Sequence, residues 1–225
     1  RLNDKLACAE ATLRIMRMSC FVIVPIFFGT AAVGAEFIEL VFGEKWAASG
    51  TLMSLLAIGS TPLVVRLQVN AALTSQKKSS WVMFSTITTL LITLTVGYFA
   101  IPYGLQYAPF AYIAVMYVTG LVSLLVFYRV FGCRFLSIIN ALWPSYLASA
   151  IMLAICYVLK QELPATLPST IQILLVCATG GIVYLLLGLL VFRKETKNFL
   201  QEGLSVAPAK FSPLLLRLQG WLRLN

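Results

Sequence analysis

Residues 79–128 form an unbroken run without a single charged side chain. No other feature limits the possible folds as strongly. At about 1.5 Å of rise per residue, one helix over that run would be roughly 75 Å long. That is more than twice the roughly 30 Å hydrocarbon core of a bilayer. The cluster PYGLQYAP at residues 102–109 supplies a break, with two prolines, a glycine and two tyrosines. The run therefore reads as a hairpin of two membrane helices, over residues 80–101 and 109–128. Four further apolar runs, at residues 18–35, 47–74, 135–159 and 169–192, make six. Hydrophobic residues are 60% of the chain and charged residues 11%, with a mean hydropathy of +0.91. Soluble domains are about a quarter charged, and a single aqueous core of this size cannot hide so much apolar surface. The expected fold class is all-α: a polytopic membrane protein with about six transmembrane helices.

The net charge of +9 would point to nucleic acid in a soluble protein. Here the placement of the basic residues gives a different account, and no nucleic-acid partner is expected. Fourteen of the seventeen Lys and Arg residues fall on one side when the six runs are threaded alternately. They are Arg1, Lys5, Arg14, Arg17, Lys77, Lys78, Arg129, Arg134 and six beyond residue 192. Lys45 and Lys160 fall on the other side, and Arg66 lies within the second run. By the positive-inside rule the rich side is cytoplasmic. That places both termini in the cytoplasm of a multi-pass protein of the inner, or plasma, membrane. Residues 1–17 read as a cytoplasmic amphipathic lead-in, 18–192 as the six-helix transmembrane region, and 193–225 as a cytoplasmic basic tail. Within the tail, FSPLLLRLQGWLRL at residues 211–224 interleaves leucine and tryptophan with arginine. It reads either as an interfacial helix on anionic membrane lipid or as a loosely ordered basic end. The chain opens at Arg1, with no signal pattern before the first apolar run. The expectation is a later portion of a longer protein.

The chain contains no histidine, which removes His-based acid–base catalysis, His triads and most metal sites. Its five cysteines form no CxxC pair and lie mostly in apolar runs, so neither a disulfide nor a metal is expected. No phosphate-binding GxxxxGK[ST] loop, HExxH motif or dinucleotide loop is present. No cofactor and no enzymatic activity is expected. The polar residues inside the apolar runs are more informative. Arg66 sits about 16 Å along a helix from Lys77. A charge at that depth faces a cavity or a partner, or its stem snorkels to the interface. Asn70 shares its face at i+4, whereas Gln68 points elsewhere. Asn70 taken alone reads as an interhelical hydrogen bond. Glu36 and Glu39 close the first run and are either ion- or proton-coupling acids or solvated interfacial groups. Thr86, Thr89 and Thr93 share one helix face, suited to packing or to lining a cavity.

The opening 46 residues carry a family pattern. RLND at residues 1–4 leads into RIMR at 14–17, then an apolar helix with Pro25, then AEFIELVFGEKW at 35–46. This resembles bacterial polysaccharide flippases of the Wzx type, in the multidrug/oligosaccharidyl-lipid/polysaccharide superfamily, most of all the colanic acid and teichuronic acid exporters. Those proteins carry an SRLQDD-like segment, a basic lead-in and an EFI–LLFGEKW-like turn before a later helix. The stretch LTSQK at residues 73–77 resembles the A-x-G-(R/K) end of their next helix, with Ser75 and Gln76 where a glycine is common. The resemblance implies a two-lobed transporter of twelve to fourteen helices, of which this chain is the later part. It would move a lipid-linked oligosaccharide between leaflets by alternating access, for polysaccharide export. The implied partners are that substrate, membrane lipids, the N-terminal lobe of the same protein and polysaccharide assembly enzymes. The family's cavity is typically cationic, which makes Arg66, with Asn70 and Gln68, the substrate-binding candidates here. A cation-coupled drug exporter of the same superfamily would want an acid in mid-helix, and a membrane enzyme of polysaccharide assembly a large outer loop.

Overall fold

The computed structural model of the chain describes residues 2–100, 102, 104, 107–164 and 167–190. Among them the chain forms six long helices and no strand. They are α1 (Leu2–Phe42), α2 (Ala47–Ser75), α3 (Ser79–Ala100), α4 (Ala108–Phe131), α5 (Phe135–Glu162) and α6 (Ser169–Leu190), with a short 3-10 turn over Glu44–Trp46. Each holds a stretch long and apolar enough to cross a membrane. The expected tail at residues 193–225 lies outside the described residues. Two compact units are distinguished, residues 1–180 and 181–225. In the second, the described part is the apolar helical stretch over residues 181–190.

The amphipathic lead-in and the first apolar run are continuous in one helix. Its 41 residues contain a single proline, Pro25, and the helix continues through it. Helix α1 also runs on past residue 35, where the first apolar run was expected to close. It stops only at Gly43, which adopts the left-handed φ of 89° and donates its N–H to the Glu39 carbonyl at 2.8 Å.

Helices α5, α1, α2, α4 and α3 lie side by side in that order. Lipid is as apolar as leucine, so close packing and hydrogen bonds must hold such helices together. Small residues make that possible here. A Cβ on Gly50 would come within 2.7 Å of the Ala35 backbone in α1. One on Gly120 of α4 would meet the Pro62 ring of α2 at 2.8 Å. Pro62 lacks an N–H, so the Ile58 carbonyl loses its usual partner four residues on. The Thr61 hydroxyl donates to that carbonyl instead, at 3.0 Å. Hydroxyls also tie α2 to α4, Ser60 with Tyr112 at 3.1 Å and Thr61 with Tyr117 at 3.3 Å.

Helix α3 is peripheral, with Leu90, Leu91, Leu94 and Phe99 all more than half exposed. Such a surface is tolerable in lipid and costly in water. Its threonines need no neighbour: Thr86, Thr89, Thr93 and Thr95 each donate to a carbonyl one turn back, at 2.8–2.9 Å. The end of α2 is closed by the Lys77 N–H on the Thr74 carbonyl and the Lys78 N–H on the Leu73 carbonyl. This is the Schellman arrangement. Lys77 holds the left-handed position, φ 56°, where a glycine would be strain-free.

Candidate functional site

Helix α2 carries the polar residues that sequence singled out, and its wheel separates them. Gln68 turns toward α1, where its amide Nε2 donates to the Ser19 hydroxyl at 3.1 Å. The interhelical bond expected of Asn70 is thus made by Gln68. Arg66 and Asn70 stand one turn apart at the margin between the packed and exposed faces of α2, both half-buried. The guanidinium of Arg66 has no hydrogen bond or ion pair with another described residue. The Asn70 Oδ1 is buried without a partner. Nine residues separate Arg66 from the end of α2 at Ser75, or about 14 Å of helix.

Residues 45–161, which include the whole of α2, contain no Asp or Glu. A half-buried guanidinium in hydrocarbon is stabilised by an anion or by water reaching it. Together Arg66 and Asn70 present a fixed positive charge and an amide along one line of the helix. Chemically that line suits a phosphate or carboxylate accepting hydrogen bonds from the guanidinium.

The acids at the far end of α1 are placed differently from each other. Glu36 pairs with Lys160 of α5, with the ammonium 2.5 Å from Oε1. Lys160 also donates to the Ala32 carbonyl at 2.9 Å. This clamp joins the ends of α1 and α5, and sequence reading missed it. The available signal was topological: threading the six runs puts Glu36 and Lys160 at the same end. Glu39 is exposed one turn further on.

Four grooves stand out among the described residues. One of about 500 Å³ between α3 and α4 is lined by Thr93, Gly97, Tyr112 and Met116 among others. One of about 330 Å³ between α2, α4 and α5 includes Pro62, Tyr117 and Trp143. A third, of about 630 Å³, lies along residues 93–99 of α3. The fourth, of about 550 Å³, lies at the other end of α3 and α4 and includes Trp81 and Arg129. Arg66 and Asn70 line none of these four.

Six apolar spans with exposed apolar flanks define a multi-pass α-helical membrane protein. Residues 2–51 match the family model described as "Polysaccharide biosynthesis protein". The match covers α1, the Glu44–Trp46 turn and the start of α2, and it supports a role in polysaccharide biosynthesis. Arg66 lies beyond it. No curated protein and no solved structure matches the chain.

Proposed function

We propose that this chain is the later lobe of a transporter that carries a lipid-linked oligosaccharide across the bacterial inner membrane, as in the colanic acid and teichuronic acid exporters it resembles. The observation that carries this reading is the Arg66–Asn70 face: half-buried, about 14 Å from the end of α2, and without a protein partner among the described residues. The headgroup of such a lipid cannot cross hydrocarbon unaided. Its phosphate or uronate groups find on this face a guanidinium able to bind them bidentately, while the lipid tail stays in the bilayer. The N-terminal lobe of the same protein stands opposite the face, and rocking of the two lobes alternates access. The reading makes the protein a non-enzymatic exporter with both termini cytoplasmic, working beside polysaccharide assembly enzymes. Glu36 is engaged with Lys160, which favours a structural role for it over ion coupling.

The test is polysaccharide export by cells carrying Arg66→Ala in the full-length protein. Export is expected to fall about tenfold or more, the loss of a charge-assisted hydrogen bond, with membrane insertion unchanged. Arg66→Lys retains the charge but not the bidentate fork and should give an intermediate level. Normal export by Arg66→Ala would remove Arg66 from the proposal.

A further inference from the structure

Helices α3 and α4 part at the basic end to leave the groove of about 550 Å³ lined by Ser80, Trp81, Phe84, Val122, Leu125, Val126 and Arg129. Its lining changes with depth. Arg129 lies in the last turn of α4 and Ser80 in the first turn of α3. Phe84 stands one turn further in along α3, and Val122 lies about 10 Å further in along α4. Trp81 meets Phe84 edge-on, with ring centroids 6.0 Å apart, at the level where tryptophan favours the headgroup interface. Polar and cationic at the helix ends, apolar below, the groove has the vertical profile of a phospholipid.

Its charge identifies the class of lipid. Arg129 is exposed and has no hydrogen bond or ion pair with another described residue. Lys77 and Lys78 lie in the turn just before α3, and Arg134 follows α4 after Gly132. Lys78 is spent on the protein, donating to the Val130 carbonyl at 3.4 Å and lying 5.9 Å from the centre of the Phe131 ring. That contact holds the α2–α3 turn against the end of α4. No acid occurs between Glu44 and Glu162, so neither helix wall nor the adjoining turns carry a negative charge. The other three grooves have no charged residue in their lining.

We propose that this groove is a binding site for an anionic phospholipid. The headgroup phosphate sits against Arg129 and Ser80, and an acyl chain lies along Phe84, Val122 and Leu125. Basic recesses between membrane helices select anionic headgroups in this way. The site does not use Arg66 and does not depend on what the protein transports.

The test uses the full-length protein in nanodiscs of equal phosphatidylglycerol and phosphatidylethanolamine, extracted into mild detergent and weighed with its retained lipids by native mass spectrometry. Wild type is expected to retain phosphatidylglycerol preferentially. Arg129→Gln should lower that retention about fivefold, the worth of one basic residue at a lipid surface. Arg129→Lys should keep most of it. Equal retention of the two lipids by the wild type would overturn the proposal, and this comparison needs no variant to fold. So would unchanged retention by Arg129→Gln. A third arm adds inorganic phosphate to delipidated protein. Thermal stabilisation matching that from phosphatidylglycerol would assign the site to free phosphate and overturn the lipid.

Discussion

At the scale of single residues, position along a helix decides what a polar side chain can do. Arg66 and Asn70 are four residues apart, and their common face was legible from spacing alone. Gln68, two residues from each, bonds to Ser19. That choice was not legible, because it depends on which helix α2 packs against. The Glu36–Lys160 clamp was hidden for the same reason: its two groups are distant in sequence and meet only when α1 and α5 are adjacent. Lys160→Met removes the ammonium from both Glu36 and the Ala32 carbonyl and should cost about 1–3 kcal/mol of stability. Pairing it with Glu36→Gln should cost clearly less than the two single effects added together. A double-mutant cycle on thermal unfolding in detergent checks this. Additivity within about 0.5 kcal/mol would show that the two groups are not coupled.

At the scale of helices, hydropathy displayed the number of spans, because each stretch must bridge the same hydrocarbon thickness. It did not display where α1 ends. The acids at 36 and 39 suggested a break, but they are tolerated on a helix whose end reaches the interface, and only Gly43 interrupts it. Sequence also cannot distinguish a glycine at a contact from one facing outward. Gly50 lies against the Ala35 backbone, whereas a Cβ on Gly29 would have nothing within 4 Å. Gly50→Ala should therefore force α1 and α2 apart and cost about 1–3 kcal/mol. Gly29→Ala should be neutral or stabilise by up to about 1 kcal/mol, through helix propensity. Comparing the unfolding midpoints of the two variants tests the contact. Equal shifts would mean that Gly50 is not in it.

At the scale of the whole molecule, the basic count and the packing agree on which ends lie together. Cys8 reaches Ser75 at 3.7 Å at the basic end, and Lys160 reaches Glu36 at the other. Cysteines introduced at positions 45 and 163 should react with an impermeant maleimide from outside the cell. Position 77 and the native Cys133 should react only from the cytoplasm. Labelling of 45 and 77 from the same side would overturn the threading. Burial pushes the Cys133 thiol above its ordinary pKa, partly offset by a backbone hydrogen bond. Less of it is thiolate at neutral pH, so its labelling should be slower than that of a free thiol and should quicken as pH rises.

In the function proposed here the Arg66–Asn70 face meets the anionic headgroup of a lipid-linked oligosaccharide. Reconstitution tests it most directly. Full-length protein is placed in proteoliposomes with a fluorescent pyrophosphate-linked oligosaccharide lipid, and the label reaching the far leaflet is quenched over time. The wild type should translocate the lipid, Arg66→Ala should do so at about a tenth of that rate or less, and Arg66→Lys should fall between them. Wild-type translocation by Arg66→Ala, at equal protein insertion, would contradict the claim.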